Sequence, residues 1–491
     1  MNVFIVSAEV VPFAKVGGLA DVVGSLPTAL RKEGVDARVI MPGYGLINHE
    51  KYDISRLFSF QYQHRTGTSD VHVYTCVHHG VPIYFVQASP YFGNESTVYT
   101  DWNWDVPRFI FFNQIALAVA SQLQERIGWF PDVFHVNDWH TALIPFLLDK
   151  SHHKTQWSKV ASVVSIHNIA YQGNGVGGFM WHMGVEERNH SLLEYHGLTD
   201  NMLGIAIAYS DMVSTVSPTY ANEIQYPHAG YELASLVRDR KADLVGILNG
   251  IDVDKWNPET DEALISNFNA HNFADARIEN KRHLQSYARL PVRDDIPLIG
   301  VVSRLTWQKG FDLAIPALRQ LLSDTEVQVV VLGTGDSSIE NDLRQLSLQY
   351  KWKATAFLEF DAALAQHIYA GSDMFLMPSH FEPCGIGQML AMRYGALPVV
   401  RETGGLADTV VNYDNGAADN GTGFVFQWEE VDAVLGTLRW AIDTYYTRPK
   451  AWRRMQQRAM ETDVSWKTSA NQYVDVYRKA IQKRKELVDA R

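Results

Sequence analysis

The chain has 491 residues, of which 46% are hydrophobic and 20% are charged, so its composition is that of a folded protein and not of a disordered or fibrous one. This length exceeds what one hydrophobic core usually supports and predicts two or three domains. The formal net charge of −12 disfavours a nucleic acid partner and requires any anionic ligand to be held by local cations and helix termini.

The first half of the chain alternates short apolar strands with segments of helical length. A strand at 3–6, a helix at 19–32 and a strand at 37–41 form one βαβ unit. No basic segment precedes the first strand, so it is not predicted to be a signal peptide. The alternation predicts an α/β protein with a doubly wound sheet. Further strands are predicted at 82–87, 132–138, 160–168, 212–217 and 243–250.

The turn-rich segment 249–260 marks the predicted division between two lobes, after which the α/β pattern starts again. We expect an N-terminal domain at 1–245, a C-terminal domain at 246–465, and a final helix at 466–491 that packs back toward the N-terminal domain. The basic cluster in this helix, Lys483 to Lys485, is predicted to lie in solvent. Strands of the second domain are predicted at 298–305, 327–335, 354–360, 374–377, 397–402 and 420–426.

Two stretches of the second domain carry candidate chemistry. Arg304 and Lys309 follow an apolar strand, at the end of a parallel sheet where α/β proteins bind ligands, and two cations there would neutralise a diphosphate. Glu382 follows the strand at 374–377 and precedes Gly385 and Gly387, which open a helix. A carboxylate beside a glycine-rich helix N-terminus can hold sugar hydroxyls and phosphate together.

The pentapeptide GGLAD occurs twice, at Gly17–Asp21 and at Gly404–Asp408, each time before a helical stretch. Its placement, once in each lobe, predicts two glycine-rich helix N-termini that face one ligand across a cleft.

Polar side chains follow two strands of the first lobe. Asp138 and His140 follow one strand, and His167 and Asn168 follow the other. Four such residues at neighbouring strand ends predict a ligand site.

Several common cofactor and metal patterns are missing from the sequence. The run LGTGDSS lacks the third glycine of a dinucleotide fingerprint, and no P-loop or His-Glu-x-x-His motif occurs. Asp252 and Asp254 form an Asp-x-Asp pair, for which we favour an Asx turn over metal ligation. We therefore predict no cofactor and no metal. The two cysteines, Cys76 and Cys384, are too few for a disulfide framework and indicate a cytoplasmic protein, and no run of about 18 apolar residues predicts a membrane helix.

Taken in order, the motifs KVGGLADVVGSLP, NDWHT, HNIAYQG, LNGID, SRLTWQKG, HFEPCG and ETGGLADTV resemble those of the bacterial glycogen synthases and plant starch synthases. This resemblance implies a GT-B type fold, with two facing Rossmann-like domains and an interdomain cleft. It also implies metal-independent transfer of glucose, with retention, from ADP-glucose to the 4-hydroxyl at the non-reducing end of an α-1,4-glucan.

The resemblance assigns roles to individual residues. Arg304 and Lys309 would bind the donor diphosphate, Glu382 would hold the glucose hydroxyls, and His167 would hydrogen-bond the same sugar. Phe360 would lie over the nucleobase. The expected catalytic residues are Glu382, Lys309, Arg304, His167 and Asp138, and the expected substrate-binding residues are Lys15, Gly17, Gly18, Asp21, Asn168, Asn249, Phe360, Cys384, Gly385, Ile386, Gly404 and Gly405.

Two positions depart from the family pattern. Gly387 stands where relatives often carry a small hydroxyl residue, and Val16 replaces a common threonine. The sequence leaves open whether the donor carries adenine or uracil. It also leaves three functional classes: a polymer synthase, which is favoured, a retaining transferase with a small acceptor, and an inactive glucan- or nucleotide-binding protein. For the chemistry, front-face displacement is favoured over a covalent intermediate on Glu382.

Overall fold

Runs of β-branched and aromatic residues form the strands of two separate sheets, as seen in a computed structural model that describes residues 1–417 and 419–489. The chain divides into two units: Met1–Gly250 with the segment that begins at Trp466, and Ile251–Ser465. The division lies at Gly250 instead of after residue 245, because the strand Leu244–Gly246 is still paired with Met212–Thr215 in the first sheet.

The sheet of the first unit has nine strands in the order β3-β4-β5-β2-β1-β6-β7-β8-β9. In this order, each neighbouring pair from β5 through β2 and β1 to β9 is parallel. At the other edge, β3 pairs antiparallel with β4, and β4 pairs antiparallel with β5. The β3–β4 hairpin is an addition that the sequence analysis did not predict. The strands are β1 Asn2–Val6, β2 Asp36–Pro42, β3 Ser55–His64, β4 Gly67–His78, β5 Val81–Gln87, β6 Val133–Asn137, β7 Ala161–Ile166, β8 Met212–Thr215 and β9 Leu244–Gly246.

Helices connect these strands, as a parallel sheet requires. The longest of them before the division, α2, has ten fully buried apolar or aromatic side chains from Val106 to Leu123, and it is followed by Gly128 in the left-handed conformation. The helices of this part of the chain are α1 Gly18–Lys32, α2 Trp102–Ile127, α3 Ile144–Ser151, α4 Gly177–His182, α5 Ser191–His196, α6 Met202–Tyr209, α7 Pro218–Glu223, α8 Pro227–Gly230 and α9 Ala234–Asp239, with 3-10 turns at Trp139–Thr141 and Tyr231–Leu233.

The second unit contains a six-stranded sheet that is parallel throughout, in the order β12-β11-β10-β13-β14-β15. The predicted α/β class with two doubly wound, Rossmann-like sheets is thus confirmed. Its strands are β10 Leu298–Val302, β11 Gln328–Leu332, β12 Ala354–Phe357, β13 Met374–Met377, β14 Leu397–Arg401 and β15 Phe424–Phe426. Its helices are α10 Phe273–Tyr287, α11 Phe311–Asp324, α12 Ser337–Gln349, α13 Ala362–Gly371, α14 Gly387–Arg393, α15 Gly404–Thr409, α16 Val431–Thr447 and α17 Pro449–Glu461, with a 3-10 turn at Trp307–Lys309.

The last described helix, α18 (Trp466–Asp489), belongs to the first unit and packs on α1 and on strands β6 to β8. One residue of its basic cluster, Arg484, is not in solvent as predicted. The Arg484 side chain is 7% exposed and lies 2.6 Å from the Asp211 carboxylate, whereas Lys483 is 36% exposed and lies 2.6 Å from Asp243. For Arg484 the prediction was wrong because α18 turns this side chain toward a buried carboxylate of the first unit. In the described ranges, every helix is too short or too polar to cross a bilayer.

Removal of the Arg484 side chain should destabilise the first unit strongly. The change Arg484→Ala leaves the Asp211 carboxylate, 1% exposed, without its cation, and we expect a loss of about 3–5 kcal/mol in the free energy of unfolding. The matched control is Arg478→Ala on the same helix, where the ion pair with Asp475 is exposed and contributes roughly 0–1 kcal/mol. Urea unfolding followed by circular dichroism measures both variants, and equal losses would contradict the buried pair's role.

Candidate functional site

In the second unit, the loops that follow β10 and β13 are joined backbone to backbone. The two strands are neighbours in a parallel sheet, so their carboxyl ends lie at one edge. Gly310 has a φ of +72°, and a Cβ atom there would overlap the carbonyl oxygen of Pro378. The His380 amide donates to the Gln308 carbonyl at 2.9 Å, and the Gln308 side chain donates to the Phe381 carbonyl at 3.2 Å. Only glycine at position 310 permits this close approach.

This contact brings Lys309 to Glu382. The lysine Nζ atom lies 2.6 Å and 2.9 Å from the two carboxylate oxygens, and Ser379 Oγ donates to the same carboxylate at 3.0 Å. The side chains are 16% and 7% exposed, so water screens this ion pair weakly. Arg304, in the same loop as Lys309, is exposed.

The second GGLAD segment supports the loop that carries Glu382. A Cβ atom at Gly404 would overlap the Glu382 carbonyl, and one at Gly405 would overlap the Cys384 carbonyl. The Gly405 amide donates to the Glu382 carbonyl at 3.1 Å. These glycines therefore pack against protein backbone. Cys384, in the same loop as Glu382, is buried.

Three other predicted residues of the second unit lie around this loop or on the surface. Gly385 has a φ of +74°, a left-handed conformation that favours glycine, and Ile386 caps α14. A side chain at Gly387 would start 3.2 Å from the Phe375 ring and 3.4 Å from Met377 Sδ, so that position faces the core. Phe360 is 86% exposed.

In the first unit, the ends of β6 and β7 bring Asp138 and His167 together. The Asp138 carboxylate accepts a hydrogen bond from the His167 amide at 2.7 Å. Asp138 has φ 55° and ψ −175°, a conformation that only glycine adopts readily, so the surrounding fold imposes strain on this residue. Burial raises the pKa of the Asp138 carboxyl to about 7, although backbone hydrogen bonds from His167 and Asn168 oppose the rise.

The imidazole of His167 is neutral at physiological pH. Burial lowers the pKa of His167 to about 4. Its Nε2 atom lies 2.8 Å from Asn137 Oδ1 and donates to it, which leaves Nδ1 as an acceptor. The neighbouring His140 is also buried, stacks on Tyr99 at 5.0 Å, and has a pKa lowered by burial to about 3. The neutral His167 can thus accept a hydrogen bond from a hydroxyl group at its Nδ1 atom.

Two predicted asparagines of the first unit differ in their surroundings. Asn168 is half-buried, and its Oδ1 accepts from the Ala170 amide at 3.1 Å. Asn249 is buried, and its Oδ1 has no hydrogen-bond partner among the described residues. A buried acceptor of this kind is expected to gain a partner from water or a ligand.

The first GGLAD segment is open, unlike the second. A Cβ atom at Gly17 or Gly18 would meet no atom within 4 Å. Lys15 pairs with Asp21 at 2.8 Å, with the two side chains 50% and 34% exposed.

The sequence analysis missed Glu9, which holds this loop. Its Oε2 atom accepts from the Val16 amide at 2.6 Å and the Gly17 amide at 2.8 Å, and its Oε1 atom accepts from the Tyr99 hydroxyl at 2.6 Å. Glu9 is 4% exposed. An acidic residue inside the apolar run AEVVPF was the signal available in the sequence, because such a residue is rarely buried without partners. One amide of the predicted Gly17–Gly18 ligand site is therefore already occupied by a protein carboxylate.

Asp252 forms the predicted Asx turn. Its Oδ1 atom accepts from the amides of Asp254 and Lys255, both at 3.1 Å. Within residues 1–417 and 419–489, no group of three or more His, Cys, Asp or Glu side chains is arranged to hold a metal ion.

The raised pKa of Asp138 predicts a pH-dependent stability difference. The unfolded carboxyl titrates near 3.9, whereas the folded one keeps its proton up to about pH 7, so its contribution to stability falls as the pH rises from about 4 to 7. Asp138→Asn removes this titration and keeps nearly the same side-chain shape and the same backbone strain, so relative to the wild type it should gain roughly 2–4 kcal/mol across that window. Urea unfolding at a series of pH values measures the gain, and Asp342→Asn, at an exposed carboxylate, controls for net charge. A difference that stays constant with pH would contradict the buried, protonated state.

Two family models match the chain. The starch synthase catalytic domain matches residues 2–239, and glycosyl transferases group 1 matches residues 286–461. The glycogen synthase of Streptococcus sanguinis is 43% identical over 97% of this chain and 99% of its own. The glycogen synthase of Thermotoga maritima is 42% identical over 98% of this chain and 99% of its own.

Solved structures agree with these sequence matches. The catalytic domain of starch synthase IV from Arabidopsis thaliana, bound to ADP and acarbose, has a TM-score of 0.88 and 31% identity, and the match covers 98% of this chain and 99% of that one. Sucrose-phosphate synthase from Thermosynechococcus elongatus, at 15% identity, has a TM-score of 0.60 over 97% of this chain and 98% of that one, and shares the fold alone. The fold is of the GT-B class, and the chain belongs to the family of glycogen and starch synthases.

Proposed function

We propose that this protein is a glycosyltransferase that moves glucose from ADP-glucose to the 4-hydroxyl at the non-reducing end of an α-1,4-glucan, with retention of configuration. The observation that carries the proposal is the weakly screened pair of Lys309 and Glu382, at the carboxyl ends of β10 and β13. A cation and a carboxylate fixed side by side suit a ligand that combines a phosphate with sugar hydroxyls.

The donor would be held by the second unit. Lys309, with the exposed Arg304, would neutralise the diphosphate, and Glu382 would accept hydrogen bonds from the glucose hydroxyls. The amides of Cys384, Gly385 and Ile386 would complete the contacts to the donor. Phe360 would stack on the nucleobase, and the large exposure of its ring supports this role. The similar starch synthase binds ADP, which supports adenine as the base.

The first unit would contribute contacts to the transferred sugar. The neutral His167 offers Nδ1 as an acceptor for a glucose hydroxyl, and Asp138 fixes the His167 backbone. Asn249 has an acceptor without a protein partner, which a substrate hydroxyl would satisfy. Five residues of the first unit are proposed to bind substrate: Lys15 and Gly17 before α1, Gly18 and Asp21 in the first turn of α1, and Asn168 after β7.

The proposed chemistry is a front-face displacement. The bond between the glucose C1 atom and the phosphate oxygen breaks as the acceptor O4 atom bonds to C1 on the same face. The proton of the acceptor hydroxyl passes to the leaving phosphate, whose negative charge Lys309 and Arg304 stabilise. Both Glu382 oxygens are engaged by Lys309, which favours a role in binding over a role as nucleophile.

Incubation with labelled donor tests the proposed function directly. We expect label from ADP-glucose to enter glycogen, and we expect a lower rate from UDP-glucose. Label that appears only in a small product would indicate a small-acceptor transferase, and no transfer from either donor would contradict the proposal. A β-linked product would contradict retention.

Replacement of Lys309 should slow transfer. Lys309→Ala removes one main stabiliser of the leaving group, and we expect kcat/KM for ADP-glucose to fall about 10²-fold or more. Lys309→Arg keeps the charge but changes its shape, and should recover part of the rate. Lys351→Ala, an exposed lysine of the same unit, is the control. Full activity of Lys309→Ala would contradict the assignment of Lys309 to the donor diphosphate.

A cytoplasmic location stays part of the proposal. Both cysteines are buried and neither forms a disulfide, as is usual in a reducing compartment.

A further inference from the structure

Trp307 is an exposed aromatic residue that the proposed function does not use. It lies in the loop between Arg304 and Lys309, and it is 60% exposed. Its ring stacks on the His380 ring with a centroid distance of 4.2 Å and an interplanar angle of 12°. One face of the indole is therefore covered by the imidazole, and the opposite face is presented to solvent.

The His380 ring is itself fixed, so the tryptophan stacks on a rigid support. His380 Nε2 lies 2.8 Å from Asp312 Oδ1, and its Nδ1 lies 3.6 Å from Glu429 Oε1. The His380 side chain is 8% exposed, whereas the two carboxylates are each 49% exposed. Arg401 lies 3.2 Å from Glu429 and holds the backbone of Ser379. An indole held in this way loses little freedom when a ligand covers it.

A second exposed indole is next to Glu429 in the sequence. Trp428 is 69% exposed and directly precedes Glu429, whose carboxylate faces His380. Trp307, Trp428, Asp312 and Glu429 together form what we call the indole patch. It combines flat apolar faces with exposed carboxylate acceptors.

We propose that the indole patch binds the α-1,4-glucan acceptor chain, with a glucose ring of the chain stacked on Trp307. This proposal rests on the proposed function and deepens it, because it names the residues that would bind a polymeric acceptor. Pyranose rings have apolar C–H faces that pack on aromatic rings, and their hydroxyls donate to carboxylates such as Asp312 and Glu429.

The charge of the patch favours this occupant over a nucleotide. Within the patch, the carboxylates of Asp312 and Glu429 outnumber the one cation beside them, Arg401, which is paired with Glu429, so the patch itself repels a phosphate group. The cations of the same loop, Arg304 and Lys309, are the ones assigned to the donor diphosphate, and Lys309 is paired with Glu382. A neutral polyhydroxyl chain meets no such repulsion. Phe360 lies in a different loop, after β12, and remains the residue proposed for the nucleobase.

The test compares glucan binding with donor kinetics in the full chain. The dissociation constant of maltoheptaose is measured by calorimetry, and the KM values for glycogen and ADP-glucose are measured separately. Trp307→Ala should weaken maltoheptaose binding about tenfold and raise the glycogen KM, with the ADP-glucose KM unchanged. Trp307→Phe keeps a flat face and should restore most of the affinity. Trp428→Ala should also weaken maltoheptaose binding.

The control is Trp352→Ala, an indole of the same unit that is 64% exposed and lies outside the patch. It should change none of the three constants. Unchanged maltoheptaose affinity in Trp307→Ala, or a raised ADP-glucose KM without a loss of glucan affinity, would overturn the proposal. Failure of the proposed function is distinguishable, because it appears in the wild type as an absence of polymer synthesis.

Discussion

The candidate chemistry of the second unit depends on one steric constraint, the contact between Gly310 and the carbonyl of Pro378. Two parallel strands bring their following loops to the same edge of the sheet, but they do not by themselves bring a lysine within 2.6 Å of a glutamate. The missing side chain at position 310 lets the backbones touch, and the hydrogen bonds of Gln308 then fix the register of the two loops. Backbone geometry places Lys309 and Glu382 side by side, and their ion pair then offsets the rotamer freedom that the two side chains lose on burial.

In the first unit, burial decides which polar groups carry charge. Desolvation keeps His135, His140 and His167 neutral, and it lets Asp138 hold a proton near neutral pH. These titrations act in opposite directions. The buried histidines make the folded protein less stable as the pH falls below about 6.5, because the unfolded chain binds protons that the folded chain does not. The buried Asp138 makes the folded protein more stable as the pH falls, because its carboxyl binds a proton in the folded chain first.

The parallel strands, the class of both sheets and the position of the two central loops could be predicted from sequence, because buried parallel strands are short apolar runs with a strong signal. The β3–β4 hairpin was not predicted, because it lacks the continuous apolar runs that marked the other strands. Its signal is instead the alternation of Phe58, Phe60 and Tyr62 with polar residues, which is typical of a half-exposed strand. Glu9 was missed because two of its partners are backbone amides, which have no signature in the sequence, and its third partner, the Tyr99 hydroxyl, is 90 residues away along the chain. The burial of Arg484 was missed because it depends on Asp211, more than two hundred residues away along the chain.

The two GGLAD segments are identical in letters and opposite in surroundings. At Gly17 and Gly18 a methyl group would meet empty space, so packing within the chain does not require glycine there, and the proposed ligand would be what requires it. At Gly404 and Gly405 glycine is required by the chain's own carbonyl groups. Substitution in the first copy would thus report on the proposed ligand, and substitution in the second would report on folding. A search by motif treats the two copies as equal. Natural substitutions should nevertheless accumulate in them at different rates and for different reasons.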